Sequence, residues 1–332
     1  MANAPQTLVM QADPPAIAAA SRLLAQGRLV AFPTETVYGL GADATNGEAV
    51  ARLYLAKGRP AFNPLIAHVA ELDAARALAR LDADAERLAK AFWPGPLTLV
   101  LPKAPACPVA ELATAGLDSI GVRVPGHKVA QAILAAFGRA VVAPSANRSG
   151  HLSPTCAAHV TADLDGSVDL IVDGGATPLG LESTIVSCLG APRLLRPGTI
   201  SRAAIEAALG RSLADGTPDA SNEAAPRAPG MLASHYAPRA HLRLNAGAPR
   251  PGEAFLAFGP APPSDGASAM LNLSAGGDLV EAAANLFSHL RRLDASGTTA
   301  IAVMNVPETG LGEAINDRLR RAAAPRASGA IG

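Results

Sequence analysis

The stretch Phe32-Pro33-Thr34-Glu35-Thr36-Val37-Tyr38-Gly39-Leu40-Gly41-Ala42-Asp43 constrains the chain most. The apolar run Leu29-Val30-Ala31-Phe32 enters it and reads as a buried strand. After it, Thr45 and Glu48 have the spacing of a capping box that opens a helix. The spacing therefore predicts a strand-to-helix loop, the place where α/β folds usually bind ligands. The loop offers three hydroxyls (Thr34, Thr36, Tyr38), the Glu35 carboxylate, and two glycines, Gly39 and Gly41. Glycine lets backbone N–H groups approach an anion closely. A plain turn has no need of so many hydroxyls beside so few charges.

The flanking sequence alternates strand and helix patterns. Asp13 and Pro14 open a helix with Ile17, Ala20 and Leu24 on one face, and Gly27 ends it. A helix over about 46–56 closes at Lys57-Gly58-Arg59-Pro60. Leu65–Val69, Leu97–Leu101, Ser119–Val124, Ala140–Ala143 and Val168–Val172 read as strands. Ser183–Val186 and Arg193–Arg196 read as a closing pair before a helix at about 201–209. Two helical patterns fill roughly 71–92, and another helix spans about 127–137. Residues 211–230 lose all apolar periodicity and read as a linker. Beyond it, 254–258 and 300–304 read as strands, 278–293 and 312–323 as helices, a small α/β module.

Composition narrows the function classes. Apolar residues make up 49% of the 332, enough to bury a full core. Lys+Arg equals Asp+Glu at 28 each, which argues against a broad nucleic-acid footprint. Three scattered cysteines, Cys107, Cys156 and Cys188, suggest reduced thiols and a cytoplasmic setting. No basic-then-apolar leader and no run of about 18 apolar residues is seen, so neither secretion nor membrane insertion is expected.

Several residues carry candidate chemistry. Lys57 and Arg59 either complement a helix dipole or clamp phosphate; beside Asn63 and the organising loop, the clamp is preferred. Ser145 and Asn147 follow a buried strand, as turn residues or as neutral donors to phosphate. Arg123 sits in an apolar strand and needs an anion, either an internal carboxylate or a substrate's, the latter preferred; Arg196 has the same ambiguity. His68 is either a satisfied core residue or a functional one. His151 and His159 have no partner at ligand spacing, so no protein-built metal site is expected. Met231 and Tyr236 read as packing residues unless the linker covers a site. P-loop, dinucleotide and nucleophile-elbow signatures are missing, so a nucleotide would need another geometry.

Taken in order, Pro33-Thr34-Glu35-Thr36-Val37-Tyr38-Gly39-Leu40, Lys57-x-Arg59, Trp93-Pro94-Gly95-Pro96-Leu97-Thr98 and Ser145-x-Asn147 resemble the YrdC family. Glu182-Ser183-Thr184-Ile185 and Leu195-Arg196-Pro197-Gly198 extend the match. Pro229-Gly230-Met231 and His235-Tyr236-Ala237-Pro238 look like the long, two-domain form. The resemblance implies a twisted, open, mixed α/β sheet with a large positive cavity over 1–210. It also implies a linker over the cavity at 211–238 and a smaller Rossmann-like α/β domain at 239–332.

The implied activity is ATP-dependent synthesis of L-threonylcarbamoyladenylate from L-threonine and bicarbonate, with pyrophosphate release. Downstream proteins would use the product to modify tRNA beside the anticodon; direct tRNA binding is left open. By resemblance, Lys57 and Arg59 act on the reacting phosphates. ATP would be held by them with Asn63, Ser119, Ser145, Asn147, Ser153, Arg196 and Tyr236. Threonine would meet Thr34, Thr36, Tyr38, His68, Arg123, the backbone at Ala143, and Ser183. Mg²⁺ would arrive on ATP. Some long-form members carry a Tyr where this chain has Ala233, which leaves the linker contact to His235, Tyr236 or the backbone. The alternative is a YrdC-type RNA-binding module that makes no adenylate. A hydrogenase-maturation factor is rejected, because those proteins carry cysteine-rich zinc motifs.

Overall fold

The computed structural model describes residues 6–214, 236–262 and 266–325. Most of the linker, with Met231, Ala233 and His235, lies outside them. Two compact units separate. The first holds the described residues up to Ser149 with 154–177 and 182–214; the second holds Gly150–Ser153, Pro178–Leu181 and the described residues from Tyr236 onward.

In the first unit the elements are β1 (Leu8–Gln11), α1 (Pro14–Ala25), β2 (Val30–Pro33), β3 (Tyr38–Asp43), α2 (Gly47–Lys57), β4 (Ile66–His68), α3 (Leu72–Leu78) and α4 (Ala83–Phe92). They continue with β5 (Leu97–Pro102), β6 (Ser119–Arg123), α5 (Lys128–Phe137), β7 (Val141–Val142), α6 (Ala157–Leu164), β8 (Leu170–Asp173), β9 (Thr184–Ser187), β10 (Arg193–Arg196) and α7 (Arg202–Leu209). The strands form one mixed sheet in the order β1-β8-β2-β3-β7-β4-β6-β5-β9-β10. Period-2 alternation splits its two faces. Val30 and Phe32 pack with Ala20 and Leu24 of α1 and with Ile133 and Leu134 of α5. Ala31 and Leu40 join the larger core with Leu53, Leu88 and Ile205 on the other face.

The organising stretch is not a strand-to-helix loop. It is a β-hairpin, with β2 and β3 antiparallel and Pro33 opposite Tyr38. Only 34–37 form the turn. There the Thr34 hydroxyl donates to the Val37 carbonyl at 2.7 Å and accepts the Thr36 N–H at 3.2 Å. Gly39 and Gly41 lie within β3 and serve packing rather than anion approach. A Cβ on Gly41 would stand 2.7 Å from Phe32 Cε1, and one on Gly39 would stand 3.1 Å from the Ala143 Cβ. The expected capping box is also replaced. Asn46 caps α2, its Oδ1 accepting from Glu48 N and Ala49 N, while the Thr45 hydroxyl donates to Asp43 at 2.7 Å.

The second unit has β11 (His241–Arg243), β12 (Ala254–Ala257), β13 (Ala269–Asn272), α8 (Leu279–Ala295), β14 (Ala300–Val303) and α9 (Leu311–Ala323). Its four strands are all parallel, in the order β11-β14-β12-β13. This is the expected small α/β sheet, with two strands the sequence pattern did not reveal. Among the described residues no helix is long and apolar enough to cross a membrane.

Gly198 packs against the segment that leads into β9. An added Cβ would fall 2.4 Å from Thr184 N and 2.6 Å from the Ser183 carbonyl carbon, both backbone atoms. Gly198→Ala is expected to destabilise the protein by about 1–3 kcal/mol, as overpacking does. Urea unfolding of the two proteins side by side measures this, and equal midpoints would refute it.

Candidate active site

The sequence at the end of α2 builds the first cluster. Gly58 adopts φ 59°, which terminates the helix at Lys57 and turns the chain toward Arg59. Lys57 is buried, and its ammonium donates to the backbone carbonyls of Ser145 and, at 2.5 Å, Asn147. In return, Ser149 N donates to the Lys57 carbonyl at 2.8 Å. The loop after β7 is thus fastened to the helix end. It is fastened to β3 as well, because Leu40 N donates to Pro144 O and Ala146 N to Tyr38 O. Burial pushes the Lys57 ammonium well below its ordinary pKa, and the neighbouring Arg59 pushes the same way.

Arg59 organises the next loop. Its Nε donates to Asn63 O at 3.2 Å and its Nη2 to Pro64 O at 3.0 Å. Tyr54 also donates to the Asn63 carbonyl. The side-chain Oδ1 of Asn63 is buried and meets no donor among the described residues. Lys57, Arg59, Asn63, Ser145 and Asn147 therefore lie in one connected neighbourhood.

A second cluster forms where β4 and β6 run parallel. His68 and Arg123 are direct register partners and present their side chains to the same face of the sheet. Arg123 is buried, and its Nη2 donates to Glu35 Oε1 at 2.6 Å. Its Nε donates to Gly95 O at 3.3 Å. Glu35 Oε2 accepts Gly126 N–H at 3.0 Å. Arg123 thus has an internal carboxylate partner, one of the two options its sequence left open. Burial raises the Glu35 pKa, but Arg123 and the hydrogen bonds outweigh it, and the group ends below its ordinary value. Burial, with Arg123 adding repulsion, pushes His68 down to about 3, so its ring is neutral at physiological pH. Thr34 and Thr36 flank Glu35 in the turn, their hydroxyls 2.7 Å apart.

Ser183 and Arg196 form a third group. Arg196 Nη2 donates to Ser183 O at 2.8 Å and Oγ at 3.1 Å, and Thr98 Oγ1 lies 2.8 Å from Ser183 Oγ. Ala143 follows β7 and packs beside Gly39.

Two expected residues of the first unit, Tyr38 and Ser119, stand apart from these clusters. Tyr38 is fully buried, and its hydroxyl is taken by Gly175 O at 2.7 Å and Gly174 N at 3.2 Å. Burial and the nearby Asp173 raise its pKa. It is a core residue, because its alternation along β3 turns it inward. Ser153 and Tyr236, both buried, belong to the second unit. There the Tyr236 ring lies 5.5 Å from Phe287 and beneath the Arg318 guanidinium. Ser119 opens β6, four residues before Arg123, and hydrogen-bonds to none of the clusters among the described residues. Sequence reasoning gave Glu35 and Thr98 no partner. Glu35 was the one carboxylate in a hydroxyl-rich turn, and that was the available signal.

His68 sets a pH dependence. Its folded pKa lies below the ordinary 6.5, so between 6.5 and about 3 the unfolded chain binds more protons, and stability falls as pH drops through that window. His68→Gln removes this contribution. Urea melts at several pH values are expected to show a shallower acid loss in the variant. Identical slopes would overturn the buried neutral imidazole.

Comparison with known proteins gives the family. The Sua5/YciO/YrdC family model, described as telomere recombination, matches residues 22–198. A model described as the threonylcarbamoyl-AMP synthase C-terminal domain matches 200–324. A threonylcarbamoyl-AMP synthase of Pyrococcus abyssi is 42% identical over 321 residues, 92% of this chain and 94% of that protein. One from Bacillus subtilis is 42% identical over 332 residues, 96% and 95%. The crystal structure of P. abyssi Sua5 complexed with L-threonine superposes with a TM-score of 0.84 at 39% identity, covering 96% of this chain and 97% of that one. With both halves matched in order and the likeness spanning nearly its whole length, the chain belongs to the Sua5/YciO/YrdC family.

Proposed function

We propose that the chain is a threonylcarbamoyl-AMP synthase, joining L-threonine, bicarbonate and ATP. The observation that carries this reading is the near full-length likeness to relatives of that name and to a Sua5 solved with L-threonine. The geometry supports it. Carbamoylation joins the threonine nitrogen to the bicarbonate carbon and releases water. A carbamate oxygen then attacks the α-phosphorus of ATP, and the bond to pyrophosphate breaks. Such transfer needs positioning and charge neutralisation more than a protein nucleophile. Lys57, Arg59, Asn63 and the Ser145–Asn147 loop supply a buried, donor-rich neighbourhood for phosphate. Arg123 takes the threonine carboxylate with Nη1, which has no protein partner among the described residues. Neutral His68 and the Thr34/Thr36 hydroxyls lie around it.

Among the described residues no group of three or more His, Cys, Asp or Glu side chains forms a metal cage. In this reading Mg²⁺ enters as part of the nucleotide substrate, held on its phosphates. Passage of the adenylate to tRNA-modifying proteins in the cytoplasm belongs to the same proposal. The RNA-module alternative is not favoured, because the full-length relatives carry synthase names.

Pyrophosphate release from ATP by the purified protein is expected to require both L-threonine and bicarbonate. Release independent of threonine would sink the reading. In calorimetry, Arg123→Ala is expected to weaken threonine binding by roughly thirtyfold or more while largely sparing ATP. Equal loss of both ligands would count against the assigned carboxylate contact.

A further inference from the structure

Glu35 is a buried carboxylate to which the proposed chemistry assigns no part. Both of its oxygens are occupied by protein: Oε1 by Arg123 Nη2 at 2.6 Å and Oε2 by the Gly126 N–H at 3.0 Å. It sits in a turn whose backbone is stitched by the Thr34 hydroxyl, so the carboxylate is carried on a rigid tip. A guanidinium is a flat fork of five donors. Here its Nε is fixed by Gly95 O and its Nη2 by Glu35. Two contacts on different nitrogens define the plane, and Nη1 is left without a protein partner among the described residues. Gly95 is in turn tied to Val124, one residue beyond Arg123, through its N–H at 2.8 Å. Two loops thus meet at the Arg123 side chain, and Gly126 holds the Glu35 carboxylate from a third.

We propose that Glu35 is a positioning residue for amino-acid binding, holding the Arg123 guanidinium so that Nη1 alone is presented to the substrate carboxylate. The proposal rests on the assignment of Arg123 to that carboxylate. Glu35 is not the substrate contact itself, since a second anion beside a bound carboxylate would repel it. The effect runs through Arg123 in two ways. Orientation is fixed before the substrate arrives, which lowers the entropy lost on binding. Charge is also balanced: the pair is close to neutral, so an incoming group is selected by the directed N–H bonds of Nη1 rather than by an unscreened cation. A carboxylate that can line up with those bonds is favoured over an anion that only seeks positive charge.

The test is steady-state pyrophosphate release with Glu35→Gln, Arg123→Gln and the double variant. Glu35→Gln keeps the shape and an oxygen for Gly126 N–H but removes the charge. Its KM for L-threonine is expected to rise roughly ten- to hundredfold, with the KM for ATP moving about twofold or less. In the Arg123→Gln background, adding Glu35→Gln is expected to leave the threonine KM unchanged or lower it, because the partner it acts through is gone and the unbalanced anion beside the carboxylate is removed. Parallel rises in both KM values, or losses that multiply in the double variant, would overturn the proposal. If Glu35→Gln fails to fold because a cation is left buried and unpaired, the double variant carries no such charge, and its comparison with Arg123→Gln alone decides the question. Wild-type protein that needs no threonine for pyrophosphate release would overturn the parent reading together with this one. Intact wild-type dependence with an unmoved Glu35→Gln would overturn the positioning step only.

Discussion

A guanidinium removed from water must be met by an anion and by enough acceptors to replace its hydration. The first unit is arranged around one such obligation. Arg123 ties the hairpin turn and the turn after Trp93 to the end of β6, through Glu35 and Gly95, while the Gly126 N–H donates to the other oxygen of Glu35. Its register partner His68 stays neutral because burial and that same cation disfavour a second charge. Lys57 presents a parallel case at the other cluster, where backbone carbonyls answer a buried ammonium. Both cations are held in place by the protein before any ligand arrives. Preorganised donors of this kind reorganise little when charge appears or moves beside them.

Much of this was legible in the sequence. Apolar runs located β4, β5, β6 and β8 to within a residue or two, and Asp13 capped α1 as its position before Pro14 suggested. The ordered motifs pointed to the family and to most of the clustered residues. What was missed has definable causes. The hairpin was hidden because β3 contains two glycines, which read as turn residues until the neighbouring strands are known to crowd them. β1 and β11 are short edge strands with no clean alternation. The motif puts Tyr38 at the site, yet which face of β3 it occupies follows from register. Register depends on partners far away in the chain.

The Arg123 ambiguity is instructive for the same reason. A lone arginine in an apolar strand announces that an anion must exist, but the sequence cannot say whether it is 88 residues distant or brought by a substrate. Here the internal partner takes one arm of the fork and leaves another open. Under the proposed function, a single cation thereby serves folding and recognition together.

The glycines of β3 bear on how loss-of-function maps of such proteins are interpreted. Gly39 and Gly41 lie in the same octapeptide neighbourhood as the site hydroxyls, and side chains there would press on Ala143 and Phe32. Intolerance at these two positions would mark the spacing of three strands rather than contact with a ligand. A mutational scan would therefore draw a footprint larger than the substrate, with its outer part cast by backbone crowding.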